Sequence, residues 1–352
     1  MVEPLDGIER RLDEQEILRA ARQHEREVAQ LKLKLAQSEQ KRKQAEQDLE
    51  TSESRVDFIR SLGEPSGVPY DFKPAKPHGQ ATAVIVLSDW HVEETVDPAT
   101  VNGLNEFNLD IADRRIQKTF ENAVTLLEAA RKLSNIKDLV VALLGDFITG
   151  YIHEELQEQN ALSPTEACLF VQDRIVGGLD FLRKHSGCRS LVVPTCFGNH
   201  GRTTPKLRIA SEAANSYEWL LYKQLERYYK NDSRVTWKVE TGYHNWLNIQ
   251  GHDVRFHHGH AIKYAGGIGG PTVPILKALA GWDQARRAAF DLFGHLHWPL
   301  RDEAKFACNN SLIGFGPFSL RIKSRFTPPS QTLVVFDRKR PLPVNIQQIW
   351  CD

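Results

Sequence analysis

The chain lacks the segments that would place it in or across a membrane. Its 352 residues contain no stretch of about 18 consecutive apolar residues, which a membrane-spanning helix requires. Residues 1–10 carry acids and no apolar run, so no secretory signal peptide is expected there. These absences predict a cytoplasmic protein without a membrane partner.

Paired cysteines and an excess of charge are also missing. The five cysteines form no Cys-x-x-Cys motif, and in a chain without an export signal they are interpreted as reduced thiols. Lys and Arg number 45, and Asp and Glu also number 45, so the formal net charge is zero. An electrostatic attraction of the whole protein to nucleic acid is therefore disfavoured, although a local basic patch is not.

Residues 1–62 have a composition that indicates a helical arm. The stretch from Ile8 to Leu62 contains no proline or glycine and is rich in Glu, Gln, Lys, Arg and Ala. Steps of three and four residues from Val28 to Ile59 give ten positions, of which seven are apolar, as in an imperfect heptad seam. The pattern favours a coiled coil that forms a homo-oligomer or docks a partner protein. A solvated helix that merely lies on the domain is the alternative.

A linker and a globular domain are predicted after the arm. Residues 63–80 contain four prolines and three glycines, a composition typical of linkers. In residues 81–352, apolar runs such as Ala83–Leu87 and Leu139–Leu144 are typical of strands buried on both faces. An amphipathic helix is predicted between them, near Asp110–Leu133.

The further predicted elements are a helix that begins at Ser163, a strand that begins at Leu191, a helix near Ser211–Tyr229, and strands at Val235–Val239, Trp246–Ile249, Val254–His257, Phe290–Phe293 and Thr332–Phe336. Strands therefore alternate with helices in the first half, and the second half is rich in strands. This order predicts a layered α/β or α+β domain.

Polar residues follow five of the predicted strands at the point where each strand ends. They are Asp89 and His91, Asp146, Asn199 and His200, His258 and His260, and His295 and His297. Because the carboxyl ends of strands in α/β sheets line one edge, these side chains are expected to meet there. Carboxylate oxygens mixed with imidazole nitrogens suit divalent ions such as Mn, Fe or Zn. Each motif alone is weak, since a lone Asp at a strand end is usually a turn former, but the five together indicate a metal site.

The order of these motifs resembles that of the calcineurin-like metallophosphoesterase superfamily. The patterns Asp-x-His, Gly-Asp, Gly-Asn-His, His and Gly-His-x-His occur in that order between Ala81 and Pro299. The resemblance implies a β-sandwich flanked by helices that holds two divalent metal ions, Mn first, with Fe, Zn, Ni or Mg as alternatives. It also implies hydrolysis of a phosphate ester, in which two cations offset the phosphate charge and lower the pKa of a water.

The resemblance further implies a role for each residue. Asp89, His91 and His297 would hold the first ion, Asn199, His258 and His295 the second, and Asp146 would bridge both. His200 would lie over the scissile phosphate as general acid or phosphate-polarising group. In the stretch 257–260 the His-Gly-His pattern selects His258 as the ligand, so that His260 could contact substrate and His257 could point into the sheet.

Further candidate substrate contacts lie next to these motifs. Arg202, Lys206 and Arg208 follow the His200 motif and could grip phosphates, although an ordinary solvated loop is an equal alternative. His153 could reach the site or be merely near it. The glycine-rich stretch 266–270 could be a mobile lid or a close backbone approach to substrate, and its context does not fit a dinucleotide site.

Departures from the superfamily pattern narrow the range of candidate substrates. Asp146 is followed by Phe-Ile-Thr-Gly without an arginine, and Gly201 stands where an acid is usual, which speaks against a protein phosphatase. The missing export signal and extra domain disfavour secreted nucleotidases and purple acid phosphatases. The stretches 102–108 and 198–204 are similar to phage and prophage phosphoesterases, which are often grouped with DNA-repair nucleases of the SbcD type.

Three functions are therefore considered. The first is a nuclease that hydrolyses phosphodiester bonds of nucleic acid, above all DNA. The predicted coiled-coil arm fits this function, because it would form an oligomer that acts on a polymer. The second is a small-molecule or nucleotide phosphatase or phosphodiesterase, which the near-neutral charge favours. The third is a coiled-coil interaction protein with a vestigial metal site, and the complete ligand set argues against it.

Overall fold

The computed structural model describes residues 5–63, 79–152, 154–264, 266 and 270–352. The chain divides into two compact units, Met1–Lys73 and Pro74–Asp352. Most of the predicted linker, residues 64–78, lies outside the described residues.

The first unit is dominated by one helix, α1 (Leu5–Ser61), which is 57 residues long. Its apolar side chains are exposed both on the predicted seam, as at Leu31 and Leu35, and off it, as at Leu33. The predicted long helix is therefore present, and its pairing stays a prediction. None of the helices in the described part of the chain combines the length and the apolar character needed to cross a membrane.

The second unit contains the remaining helices and all strands of the described residues. The helices are α2 (Leu109–Arg131), α3 (Glu154–Gln159), α4 (Pro164–His185), α5 (Tyr217–Tyr228), α6 (Thr272–Asp283) and α7 (Pro317–Arg321). The strands are β1 (Gln80–Leu87), β2 (Asn135–Leu143), β3 (Ser190–Thr195), β4 (Val235–Val239), β5 (Asn245–Ile249), β6 (His252–Phe256), β7 (Phe290–Phe293), β8 (Arg301–Asp302), β9 (Phe306–Cys308), β10 (Ser330–Asp337) and β11 (Asn345–Trp350).

The strands form two sheets that pack face to face. The first has six strands in the order β11-β10-β1-β2-β3-β4, and the second has five in the order β5-β6-β7-β9-β8. Strands β1 to β4 are mutually parallel, as are β6, β7 and β9 in the second sheet. Helices α2, α4 and α5 cover the outer face of the first sheet, and α6 covers the second. The predicted fold class, a β-sandwich flanked by helices, is confirmed.

The position of β1 between two hydrophobic cores explains why its sequence is apolar without interruption. Ala83, Ile85 and Leu87 belong to the core under the helices, whereas Val84 and Val86 belong to the core between the sheets. Because successive side chains on a strand point to opposite faces, both faces of β1 are buried.

Some predicted boundaries were wrong. Helix α5 begins at Tyr217 rather than at Ser211, because Ser216 is its N-cap and accepts a hydrogen bond from the backbone N–H of Trp219 at 3.2 Å. Residues 209–215 form two short 3-10 turns instead. Strands β8, β9 and β11 were not predicted, since two are very short and β11 carries polar residues at its centre.

Gly178→Ala tests the packing of α4 against α2. A Cβ at this position would overlap the ring of Phe120, so we expect a loss of about 1–3 kcal/mol in the free energy of unfolding. Gly177→Ala is the matched control, because a Cβ there meets nothing within 4 Å and alanine should stabilise the helix by up to about 1 kcal/mol. Urea unfolding followed by circular dichroism measures both. Equal effects of the two substitutions would contradict this packing.

Candidate metal centre

The loops that leave β1, β2 and β3 lie at one edge of the first sheet, because these strands are parallel. Backbone hydrogen bonds join the first two loops. The N–H of Asp89 donates to Gly145 O at 2.9 Å, and that of His91 donates to Asp146 O at 3.2 Å. The two loops therefore hold Asp89 and Asp146 side by side.

The second sheet brings its histidines to the same edge. Strands β6 and β7 are parallel, and the N–H of Gly294 donates to His258 O at 2.8 Å. The N–H of His295 donates to both carboxylate oxygens of Asp89 at 3.0 Å each. Asp89 therefore links the two sheets, and the loops that follow β1, β2, β6 and β7 come together there.

Asp89, His91 and His297 form a first group whose ligand atoms lie within 4.8 Å of one another. The Nε2 atoms of His91 and His297 are 3.2 Å apart, and His297 Nε2 is 3.4 Å from Asp89 Oδ1. Thr149 orients one ring, since its Oγ1 lies 3.1 Å from His91 Nδ1. Three converging N and O atoms of this kind can hold a divalent ion.

Asp146, His258 and His295 form a second group with the same spacing. His258 donates its Nδ1–H to Leu144 O at 2.7 Å, and its Nε2 lies 2.8 Å from Asp146 Oδ2. The bonded carbonyl thus fixes which ring nitrogen faces the group, as at many metal-binding histidines. Asp146 also forms a third group with His91 and His200. Because His91 belongs to the first group and Asp146 to the second, Asp146 connects these two groups.

The donor set fits bound cations. The side-chain oxygen of Asn199 is buried and makes no hydrogen bond within the described part of the chain, and the Nε2 of His258 has only the carboxylate of Asp146 beside it, at 2.8 Å. Buried polar atoms without partners are rare and call for a ligand such as an ion. These atoms, with the carboxylates and imidazoles around them, would be satisfied by divalent metal ions.

The electrostatics of the site centre on Asp146. Burial raises the pKa of its carboxyl group, but the His258 and His200 rings outweigh burial and hold that pKa well below its usual range. The same carboxylate raises the pKa of His258 against the effect of burial. Burial holds the pKa of His91 and of His295 well below the usual value, so both rings are neutral. Ion binding would therefore release the proton of His258.

Five candidate ligands have left-handed backbone conformations. They are Asp89 (φ 55°), His91 (φ 48°), Asp146 (φ 52°), His295 (φ 70°) and His297 (φ 51°). Such a conformation costs a non-glycine residue about 1–3 kcal/mol and persists only where the surrounding structure imposes it. Strain concentrated on the converging side chains indicates that the loops are shaped to aim them.

Three glycines of the sequence motifs are required by space. A Cβ on Gly198 would overlap the Asp146 carboxylate, and a Cβ on Gly294 would overlap the Asp89 carboxylate. A Cβ on Gly145 would overlap the backbone of Gly198. Only glycine therefore allows these loops to approach as closely as they do.

His200 lies beside the two groups. Its backbone N–H donates to Asp146 Oδ1 at 2.8 Å, and its ring Nδ1–H donates to Thr149 O at 3.0 Å. The ring packs edge-on against His91 with centroids 4.7 Å apart. Burial lowers the pKa of the ring, although Asp146 opposes this. Nε2 is the nitrogen left to act on a substrate.

The candidate substrate cations differ in their contacts. The guanidinium of Arg202 donates to the carbonyls of Asn199 at 2.8 Å, Thr204 at 3.1 Å and Pro205 at 3.3 Å, so it braces its own loop. Lys206 and Arg208 are exposed, and their side chains make no hydrogen bond or ion pair with other described residues. These two remain the free cations of the loop.

The remaining sequence candidates are placed as follows. His260 lies 5.4 Å from His258 between ring centroids, and its Nε2 is 2.7 Å from Glu212 Oε1. His257 stacks on Phe293 at 4.8 Å and so points into the sheet. His153 lies outside the described residues, as do residues 265 and 267–269 at the proposed glycine-rich lid.

Two buried glutamates were missed by the sequence analysis. Glu218 accepts backbone N–H bonds from Phe147 and Gly198, both at 2.7 Å, and joins the loops that carry Asp146 and Asn199. Glu93 accepts from Thr149 at 2.7 Å and Gly150 at 2.8 Å. The unusual Gly201 is explained by this arrangement, because a Cβ there would lie 2.7 Å from Glu218 Cγ.

Burial raises the pKa of both carboxyl groups from an ordinary 4.5 to about 7, and Asp146 adds to the effect at Glu218. Between about pH 4.5 and pH 7 these two groups therefore bind more protons in the folded chain than in the unfolded chain. Their contribution to stability is therefore complete below about pH 4.5 and is lost as the pH rises through 7.

No family model matches the chain, and no curated protein matches it. Among solved structures, it is similar to Vps29 from Entamoeba histolytica in complex with Zn²⁺, at 12% identity and a TM-score of 0.33, over 77% of this chain and 99% of that one. It is also similar to a conserved uncharacterised protein, a predicted phosphoesterase, from Streptococcus pneumoniae, at 12% identity and a TM-score of 0.30, over 76% and 97% of the two chains. A third is phosphopantetheinyl hydrolase from Mycobacterium tuberculosis, at 12% identity and a TM-score of 0.28, over 70% and 94%. These scores are low, so the likeness decides neither the fold nor the activity of this chain.

Glu218→Gln tests the brace beneath the site. The amide replaces one acceptor with a donor that faces a backbone N–H, so near pH 5 we expect a loss of about 1–3 kcal/mol in the free energy of unfolding. The difference in unfolding free energy between wild type and variant should be smaller at about pH 8. Between about pH 5 and pH 8 the wild-type carboxyl group, whose pKa is raised to about 7, ionises and loses stability, whereas glutamine does not ionise.

Glu226→Gln is the matched control for this prediction. It lies on the same helix in a partly exposed ion pair with Lys223, where about 0–1 kcal/mol is at stake. Urea unfolding of both variants at the two pH values measures the effect. An equal loss in the two variants, or no narrowing with pH, would count against the brace.

Proposed function

We propose that the protein is a phosphoesterase that uses two divalent metal ions. The observation that carries this proposal is that Asp146 connects two groups of three ligand residues, Asp89/His91/His297 and Asp146/His258/His295: it belongs to the second and also groups with His91 of the first, and each group has its ligand atoms within 4.8 Å. Sites with two adjacent divalent ions recur in enzymes that displace a group at phosphorus, because both the attacking and leaving oxygens need charge compensation.

In this proposal the first ion is held by Asp89, His91 and His297, the second by Asn199, His258 and His295, and Asp146 contacts both. Manganese is the first candidate, with Fe, Zn, Ni or Mg as alternatives, since the donors mix carboxylate, amide and imidazole. The ions would supply positive charge against the phosphate oxygens and acidify the attacking water.

The side chains around the ligands would transfer protons and hold the substrate. His200 keeps its Nδ1–H on the Thr149 carbonyl, so Nε2 can hold or release a proton at the phosphate or the leaving oxygen. Arg202 anchors the Asn199 backbone. Lys206 and Arg208 are exposed and could contact further substrate phosphates, and His260, whose ring centroid is 5.4 Å from that of His258, could also contact the substrate.

The preferred substrate is a phosphodiester of nucleic acid, DNA first. Unpaired cations near the centre and the candidate oligomer favour a polymeric substrate. A small-molecule phosphatase or phosphodiesterase is the second candidate, favoured by the zero net charge. A Mn²⁺-dependent screen over single-stranded DNA, duplex DNA, RNA and nucleotides separates the two. Hydrolysis of nucleotides with intact DNA would select the second.

Asp146→Asn tests the shared ligand. The substitution keeps the shape but removes the charge that compensates the histidines, so bound metal and hydrolysis of bis(p-nitrophenyl) phosphate should both fall to background. Asp138→Asn is the control, because Asp138 lies on β2, the strand that precedes Asp146, and pairs with the exposed Arg189 instead. Metal content by mass spectrometry and the hydrolysis rate measure the result. Full metal content in Asp146→Asn would refute the shared-ligand role.

His200→Ala separates proton transfer from metal binding. We expect turnover to fall by about 10²- to 10⁴-fold while the metal content stays at the wild-type level, because His200 acts on the substrate and not on the ions. The same two measurements apply. Loss of metal from this variant would make His200 a ligand and contradict its proposed role.

We further propose that α1 pairs with the α1 of a second copy. The helix exposes Leu31 to 65% and Leu35 to 61%, and burying such side chains against a second helix would stabilise a dimer. The double substitution Leu31→Lys and Leu35→Lys should shift the mass in solution from dimer to monomer. Leu33→Lys, 63% exposed on another face, should leave it unchanged. A monomeric wild type in analytical ultracentrifugation would rule out the pairing.

A further inference from the structure

The 317–326 segment exposes apolar side chains that a soluble domain normally buries. Phe318 is 71% exposed, Ile322 58% and Phe326 45%. The segment consists of α7 and the turn that follows it, and it carries no acidic residue. Exposed apolar groups clustered in one short segment mark a binding surface more often than chance exposure does.

The same segment carries three cations without partners. Arg321, Lys323 and Arg325 are exposed, and none of them makes a side-chain hydrogen bond or ion pair with any other described residue. Surface cations in this protein commonly do have partners, as in the pairs Arg174–Asp113 and Lys118–Glu121. The segment has a charge of +3 and contains no acid of its own, which suits an anionic ligand.

The stretch that leads into the segment is bonded beside the candidate metal centre. Just before it, the N–H of Leu312 donates to Asp89 O at 3.0 Å, and Asn309 Nδ2 donates to Ser88 Oγ at 2.9 Å. The ring of Phe326 packs back on the buried Phe315 at 5.8 Å. The chain thus departs a few residues after its contact with Asp89 and folds back on Phe315, and Phe318 and the three cations lie between these two points.

We infer that the 317–326 segment binds a single-stranded polynucleotide and leads its backbone to the metal centre. This inference rests on the proposed phosphoesterase function and names the class of its substrate. Arg321, Lys323 and Arg325 contact backbone phosphates, and Phe318 stacks on a base. Exposed aromatic rings interleaved with cations are how proteins hold single strands without reading their sequence.

The aromatic ring selects the single strand over the duplex. In a duplex the base faces are stacked on one another and are closed to a side chain, whereas a single strand can offer them. The cations act on either form, since both carry phosphates. Loss of the ring should therefore weaken binding of single strands alone, and loss of the charges should weaken binding of both.

Binding is measured by fluorescence anisotropy with the full-length protein and a labelled single-stranded oligonucleotide in the presence of a chelator. The charge variant carries Arg321→Gln, Lys323→Gln and Arg325→Gln. It should bind less tightly, and the slope of log K against log salt should become shallower by about 2, since each phosphate contact of a single strand contributes about 0.7. Its control carries Lys137→Gln, Lys184→Gln and Lys230→Gln. These exposed lysines lie just before or at the start of β2, β3 and β4, at the opposite edge of the sheet, and should leave binding unchanged.

Phe318→Ala should weaken single-strand binding by about 5- to 100-fold and leave duplex binding unchanged, as expected for loss of one stacked base. Leu133→Ala is the control, because Leu133 is 72% exposed in the turn after α2 and has no proposed contact. Thermal melting of each variant checks that the fold is retained. Equal binding of single strands by wild type and Phe318→Ala would overturn the stacking role and with it the inference.

The remaining outcomes separate this inference from the function on which it rests. A wild type that hydrolyses bis(p-nitrophenyl) phosphate with Mn²⁺ but binds no single strand would overturn the inference and leave the function standing. Binding without any metal-dependent hydrolysis would overturn the proposed function and support the surface. If the charge variant and Phe318→Ala lose binding to vesicles of phosphatidylcholine and phosphatidylserine but keep oligonucleotide binding, the segment contacts lipid and the inference is wrong.

Discussion

The site depends on one buried negative charge, the carboxylate of Asp146. It is 1% exposed, and its two oxygens face the backbone N–H of His200 and the Nε2 of His258. A charge removed from water is stable only where partners compensate it. One partner here comes from the first sheet and the other from the second, so the sandwich must close before Asp146 is compensated. The fold and the site therefore stabilise each other.

The strands and the candidate ligands could be predicted from sequence because both signals are local. An apolar run followed at once by Asp or His, as in 83–91, contains the strand, its end and the residue at the sheet edge within a few positions. Parallel pairing then brings such ends together without further information. The left-handed conformations could not be predicted, since Asp and His have a positive φ more often than most residues but still in only a small fraction of cases.

Glu93 and Glu218 were missed for a physical reason. Glutamate is usually exposed, and Glu218 lies in the first turn of α5, where an acid is ordinarily explained by the helix dipole. The groups that Glu218 actually meets, the N–H groups of Phe147 and Gly198, are distant in sequence and are set by tertiary structure. The exposed 317–326 segment escaped in the same way, because only the folded chain reveals which phenylalanines stay in water and what lies next to them.

At Gly145 and Gly198 the two central loops touch backbone to backbone, with no side chain between them. Both residues are already the smallest possible, so a substitution at one cannot be relieved by trimming the other. A second-site suppressor would have to displace a whole loop, and each loop carries a residue of the centre. Substitutions can thus accumulate over much of the surrounding surface, while Gly145 and Gly198 must both remain glycine because no single further substitution compensates the loss of either.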